Sequence, residues 1–402
     1  MDIIFIIIVC CLLLTGYLFD LSYARTKVPS VVLLLFLGWG IRQLSILMDI
    51  KILELGALLS IFGTVGLILI VLEGSLELEA GRSKRKLFVK SSLSAFLSLL
   101  VLSFVFAILF HLFSNYSFKQ CLANAIPLSI ISSAIAIPSV RNMGAFNKEF
   151  VTYESSISDI LGVIFFNFIA LNETIEASTF GYFFLQMFVI TIVSFIATLG
   201  LSYLLSKSNH HVKYIPIIIF IVLIYAIFKM VHLPALMFIM IFGLFLGNFH
   251  KFKKTKWIEV FQPDKMKIEV HKFREVVIES TFLIRTLFFL LFGYLIETKE
   301  ILDTQSVIWS LGIVGGIFII RYFILKILSL SVKPLLYIAP RGLITILLFL
   351  AVTPTLNISF INKSLIIQVI ILTSLIMMIG LIRNSRKKNN AKAGKIDDSS
   401  VD

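Results

Sequence analysis

The sequence predicts an all-α membrane protein of about thirteen transmembrane helices, and three observations carry that expectation. Of 402 residues, 58% are hydrophobic and 15% charged, against roughly 45–50% and 25% in ordinary soluble domains. Apolar runs approaching the ~20 residues needed to cross a hydrocarbon core recur along almost the whole chain. The basic residues, finally, fall in alternate loops.

Taken in order, helices are expected at roughly 3–19, 28–48, 52–72, 87–113, 119–140, 150–171, 180–206, 212–230, 232–249, 273–296, 305–330, 335–354 and 362–382. The first could pass for a signal peptide. It starts with Asp2 instead of a basic segment and has no small-residue cleavage motif, so it reads as an uncleaved helix. Its Cys10 and Cys11, like Cys121, sit in apolar stretches where thiols behave as small hydrophobes. No disulfide framework, metal cluster or cofactor is implied.

The formal charge of +13 would suit a nucleic-acid ligand if it were patched on one surface. Its distribution says otherwise. Odd-numbered connections hold Arg25 and Lys27, the run Arg82-Ser83-Lys84-Arg85-Lys86, Arg141 and Lys148, Lys207 and Lys213, the long basic stretch over 250–272, Lys326 and Lys333, and the tail after Arg383. Even-numbered connections hold only Arg42, Lys51, Lys119, Lys229, Lys299 and Lys363, and two of them are acidic, with Glu173 and Glu176 in one and Glu297, Glu300 and Asp303 in the other. This asymmetry follows the positive-inside rule and places the amino terminus outside and the carboxyl terminus in the cytoplasm of a cell (inner) membrane. The excess charge thus reflects topology and contact with anionic lipid, with no nucleic-acid partner. One transmembrane unit spans 1–383, and 384–402 reads as a disordered cytoplasmic tail.

Ionisable side chains inside a bilayer cost several kcal/mol each, so those that persist are candidates for function. The sixth segment opens with Tyr153-Glu154-Ser155-Ser156-Ile157-Ser158-Asp159. Glu154 and Asp159 are about 140° apart round a helix and face different directions, so one carboxylate can serve a water-filled cavity while the other makes a structural contact. Ser155 and Ser158 offer hydroxyl oxygens to a hard cation. The alternative is a serine-capped helix start with Glu154 at the interface.

Arg341 lies in Ala339-Pro340-Arg341-Gly342, and the fifth segment carries Pro127 and Pro138 among its serines. Broken backbone at membrane depth is tolerated only where protein buries it or it lines a cavity. A broken segment in each half points to inverted repeats with a midplane site between two interrupted, crossing helices, the alternative being two ordinary kinked helices. Glu73 either ends the third helix or contributes to that site. Glu279 and Arg285, about 120° apart on the tenth segment, are expected to find partners on other helices. Arg321 is expected to snorkel. His210 and His211 read as loop residues, and no Walker-type loop, metal-spaced histidine pair or nucleophile elbow points to an enzyme.

Glu154-Ser155-x-x-Ser158-Asp159 resembles the Glu-Ser-x-x-Asn-Asp signature of the monovalent cation/proton antiporter family, in its prokaryotic Na+/H+ exchanger branch with thirteen helices. Leu37-Gly38-Trp39-Gly40, Glu73-Gly74, Phe288-Phe289 through Gly293 and Arg341-Gly342-Leu343 are similar to further family motifs in the same order. The resemblance implies that Asp159 is the exchange carboxylate, that Ser155 and Glu73 help hold the ion beside the Ser158 hydroxyl already noted, and that Glu154 pairs with Arg341 to tie the interrupted helices together. It implies a homodimer with interleaved dimerisation and ion-translocation bundles. It also implies alternating-access, electroneutral exchange of H+ for Na+ or Li+, with K+ exchange, cation-coupled organic-anion uptake or a non-transporting scaffold as alternatives. Two departures stand out: Ser158 replaces the family's asparagine, and Ala136-Ile137-Pro138 stands where the family has Thr-Asp-Pro.

Overall fold

The computed structural model describes residues 2–26, 28–49, 55–78, 84–141, 143–172, 177–207, 212–231, 233, 235–252, 263–301 and 303–398. Residues 253–262 of the basic 250–272 stretch, the pair His210-His211, Glu173 and Glu176, and the run from Arg82 to Ser83 lie outside the described residues.

The chain runs through α1 (Asp2–Thr26), α2 (Ser30–Leu47), α3 (Gly56–Glu77), α4 (Arg85–Leu112), α5 (Phe118–Ser129), α6 (Ser133–Ser139), α7 (Ala145–Leu171) and α8 (Ala177–Lys207). It continues with α9 (Tyr214–Met230), α10 (Ala235–Gly247), α11 (Pro263–Tyr294), α12 (Thr298–Ile301), α13 (Thr304–Ile327), α14 (Val332–Leu335), α15 (Leu343–Ala351) and α16 (Lys363–Asp398). No strand occurs among the described residues. Among the described residues, ten spans are long and apolar enough to cross a membrane, counting α5 and α6 as one. The other expected segments contain α9 and α10, of 17 and 13 residues, and the interrupted pair α14 and α15. This is a multi-pass membrane protein.

Local chemistry sets several boundaries. Ser117 caps α5 through a reciprocal capping box with Gln120. Asp303 caps α13 by accepting the Ser306 backbone N–H at 3.3 Å. α16 continues past 383, where the composition turns polar.

Polar contacts between helix ends fall into two sets. One joins the odd-numbered connections: Lys84 to Glu149 at 2.9 Å, Arg274 to Glu77 at 2.6 Å, Lys213 to Glu269 at 2.5 Å, and Asn248 to the Leu78 carbonyl at 2.8 Å. The other joins even-numbered ends: Arg42 to Glu297 at 3.1 Å, Lys363 to Glu300 at 3.1 Å, and Gln120 to the Thr355 carbonyl at 3.0 Å. Successive crossings therefore alternate in direction, and the basic connections share one face.

Helices that meet through lipid-like surroundings gain no hydrophobic drive from each other and depend on close packing. α2 and α11 show how this is done. A Cβ on Gly38 would lie 2.2 Å from the Leu290 carbonyl, and one on Gly293 would lie 2.4 Å from the Leu35 carbonyl. The two backbones thus touch, with Trp39 Nε1 donating to Thr298 Oγ1 at 3.2 Å just beyond. Two of the sequence motifs, around Gly38 and Gly293, meet here as one packing seam.

Gly38→Ala is therefore expected to force α2 off α11 and to destabilise by roughly 1–3 kcal/mol. Gly315→Ala, with open space beside it, should be neutral or slightly stabilising by the helix propensity difference. Thermal melts in detergent compare the two, and equal midpoints for both variants would contradict the seam.

Candidate ion-binding site

The two interrupted segments cross. α5 stops at Ser129, residues 130–132 are extended, and α6 resumes at Ser133; residues 336–342 are likewise non-helical between α14 and α15. Each break exposes backbone groups that a bilayer cannot solvate. They are met from three directions. The Ser132 N–H donates to the Pro340 carbonyl at 2.9 Å, joining one break to the other. Arg341, completely buried, donates through Nε to the Leu128 carbonyl at 2.6 Å and through Nη1 to the Ala339 carbonyl at 3.0 Å. From α7, Ser158 Oγ accepts the Ile131 N–H at 3.0 Å, and Asp159 Oδ2 accepts the Ser133 N–H at 3.2 Å together with the Ser133 hydroxyl.

Asp159 therefore sits at the break between α5 and α6, buried, with one oxygen engaged by Ser133 and Oδ1 without a protein donor. Buried hydroxyls without a hydrogen-bond partner stand nearby in the fold: Ser132 Oγ against Gly342, and Ser156 Oγ against Gly74. Ser155 is also buried and shares the α7 face of Asp159 one turn away, but its hydroxyl donates to the Val151 carbonyl at 2.8 Å. Its lone pairs stay open to a cation. Uncharged oxygens around a single carboxylate suit a hard, weakly charged ion better than a multivalent metal.

The expected pair of Glu154 and Arg341 does not form. Glu154 is held by Arg321 in a two-pronged pair, Nη1 to Oε1 at 3.1 Å and Nη2 to Oε2 at 2.8 Å, with Ser94 Oγ of α4 donating to Oε1 at 2.6 Å. Arg321 also donates through Nε to the Leu335 carbonyl at 2.8 Å. Depth explains the exchange. Glu154 lies early in α7 and Arg321 late in α13, on the same basic-loop side, whereas Arg341 lies beyond the α14 turn at the level of the crossing. Arg321 is thus a buried strut between α4, α7, α13 and α14, not a snorkelling side chain.

Glu73, near the end of α3, is half-buried and faces Thr281 and Arg285 of α11. Its neighbour Gly74 packs on Ser156, so α3 crosses α7 one turn from Asp159. Arg285 is buried and reaches the Ala134 carbonyl of α6 at 3.5 Å and Asp20 of α1 at 4.0 Å. Glu279 is exposed and makes no ion pair among the described residues.

Sequence reasoning missed two residues here. Ser133 is the α6 residue that meets Asp159, whereas Ile137 lies a turn further along and away from the break; the only available signal was a polar residue midway between Pro127 and Pro138. Arg321 shared with Arg285 and Arg341 the distinction of lying inside a predicted helix.

On the side opposite the basic connections, a cavity of about 550 Å³ opens between α3, α7 and α15 and the pair α9 and α10. Thr64, Leu67, Asn167, Tyr225 and Lys229 are among its lining residues, and it reaches Val163, one turn of α7 from Asp159. A buried carboxylate at crossed, broken helices beside a cavity of this size is the arrangement expected of a membrane transporter.

The chain belongs to the sodium/hydrogen exchanger transmembrane family, whose model matches residues 8–383. The fold is similar to that of the sodium proton antiporter MjNhaP1 from Methanocaldococcus jannaschii. Against its structure at pH 8 the identity is 19%, over 95% of this chain and 96% of that one, with a TM-score of 0.65. Against the structure from an electron-microscopy map of the same protein, the identity is 18%, over 98% and 97%, also with a TM-score of 0.65. No curated protein matches the chain.

The arrangement separates two buried arginines by a double-mutant test. Arg321→Ala strands a buried carboxylate and should cost roughly 3–5 kcal/mol, with Glu154→Gln strongly coupled to it. Arg341→Ala should also destabilise, but additively with Glu154→Gln, because its partners are carbonyls. Detergent melts of the singles and doubles read the coupling; a large Glu154–Arg341 coupling and none with Arg321 would reverse the assignment.

Proposed function

We propose that the protein exchanges protons for a monovalent cation, Na+ or Li+, across the cell membrane, with Asp159 as the shared carrier. The single observation that supports this most directly is the Asp159 carboxylate itself: buried at the crossing of two interrupted segments, held on one oxygen by Ser133 and open on the other. A carboxylate that must lose its proton before it holds a cation couples the two by competition. Alternating exposure of that site to the two faces turns competition into exchange, with no need of ATP. In this reading Ser155, Ser158 and Glu73 support the site, Ser158 by holding the break and the other two by facing it or its approach.

One exchanging carboxylate gives one-for-one, electroneutral exchange. The charge asymmetry of the connections favours an external amino terminus and a cytoplasmic carboxyl terminus, which makes the 550 Å³ cavity an outward-facing vestibule. The protein is proposed to act as a homodimer in the lipid bilayer.

Asp159→Asn, reconstituted in liposomes, should abolish Na+- or Li+-driven dissipation of a pH gradient while leaving the detergent melt near that of the parent. Wild-type flux should be unmoved by an imposed potassium diffusion potential. Residual exchange in Asp159→Asn would remove the carrier role, and transport driven by potential alone would remove the stoichiometry.

A further inference from the structure

We propose that Asp20, with Tyr23, Arg141 and Arg285, forms a releasable gate that shuts the basic-loop side of the ion path by pinning the half-helix α6. This rests on the exchange reading above for its purpose, though not for its geometry.

α6 matters because its first residue, Ser133, holds Asp159. Wherever α6 moves, the environment of the carboxylate moves with it. The rest of α6 is tied to helices outside the crossing. At its far end, the Tyr23 hydroxyl of α1 donates to the Ser139 carbonyl at 2.5 Å. Near its start, Arg285 of α11 donates to the Ala134 carbonyl at 3.5 Å. Two residues beyond α6, Arg141 approaches Asp20 of α1 at 3.5 Å. Asp20 is the hub: it lies 4.0 Å from Arg285 and accepts from Ser30 Oγ of α2 at 3.2 Å. One carboxylate thus joins two arginines and three helices around α6.

The seam these groups close is packed. Between Tyr23, Ser30, Ala134, Ile135 and Ser139 the free space is about 10 Å³, room for one water at most. On the opposite side the 550 Å³ cavity already reaches within a turn of Asp159. One approach is a wide cavity ending a turn from Asp159, and the other is a packed seam in which Tyr23, Ser30 and Ser139 take part.

Comparison with the Glu154–Arg321 pair shows why this is a latch and not a strut. That pair is bidentate, at 2.8 and 3.1 Å, with both side chains almost wholly buried. The Asp20 contacts to arginine are single and long, and the Arg141 side chain is 48% exposed. An exposed single pair such as Asp20–Arg141 contributes little, and the Asp20–Arg285 contact, though buried, is stretched to 4.0 Å. Glu73 also faces Arg285, so when Asp20 lets go a second carboxylate is at hand to keep the guanidinium paired.

The test uses the full chain with Cys10, Cys11 and Cys121 replaced by alanine, and a membrane-impermeant maleimide applied to vesicles of each orientation. Ile135→Cys reports the basic-loop seam and Asn167→Cys reports the opposite cavity. Adding Asp20→Asn, or the milder Tyr23→Phe, should raise labelling at position 135 several-fold from the basic-loop side and lower labelling at position 167 from the other. Unchanged rates, or a rise at both positions as in general loosening, would overturn the gate. Labelling needs no transport, so a failed exchange assay on Asp159→Asn would leave this result readable by itself.

Discussion

The structure depends on one constraint: a backbone broken twice within the membrane must find all its hydrogen-bond partners inside the protein. Water is absent at that depth, and an unmet amide or carbonyl there costs several kcal/mol. The two breaks answer each other directly through Ser132 and Pro340. What they cannot satisfy mutually is supplied by Arg341 on one side and by Ser158 and Asp159 on the other. The residues of the candidate site are therefore also those that let the chain be broken there.

Glycine provides the clearance that makes this possible. Gly342 admits Ser132, Gly74 admits Ser156, and Gly162 admits Ile130 at distances no Cβ could share. The crossing is thus pressed between α3 and α7 with little slack. Around it, the Glu154–Arg321 pair fixes α7 to α4 and α13, so that the carboxylate at position 159 projects from a helix that is itself anchored. Position 154 serves the anchorage and position 159 the exchange proposed here, with opposite demands: the first needs every lone pair occupied, the second needs one left open.

Much of this was legible in the sequence because it is written in periodicity and in exceptions to it. Long apolar runs located the helices, prolines near Ser132 and Arg341 located both breaks, and Glu154 with Asp159 marked a helix bearing two inward carboxylates. Pairing was not legible. Which arginine meets Glu154 depends on the relative depth of α7, α13 and the α14 turn, a tertiary quantity that no local spacing encodes. Ser133 was overlooked for a related reason. A serine among serines carries no signal until the break turns its N–H and hydroxyl together toward one carboxylate.

The double duty of Asp159 links occupancy to conformation under the proposed exchange. As a carboxylate it accepts two hydrogen bonds from Ser133 on Oδ2. A proton on either oxygen removes negative charge and weakens those bonds, since hydrogen bonds to a charged acceptor are roughly twice as strong as to a neutral one. A cation at Oδ1 instead leaves the carboxylate ionised while neutralising the buried charge. Both loaded forms remove the penalty of an isolated ion in a dry interior, and the empty carboxylate keeps it. Passage of the site through a fully enclosed state is then cheapest when loaded with one ion or the other, which is the requirement for exchange without leak. α6, tied to Asp159 at Ser133 and to α1 at Tyr23, is the element through which that difference in loading would reach the far face of the membrane.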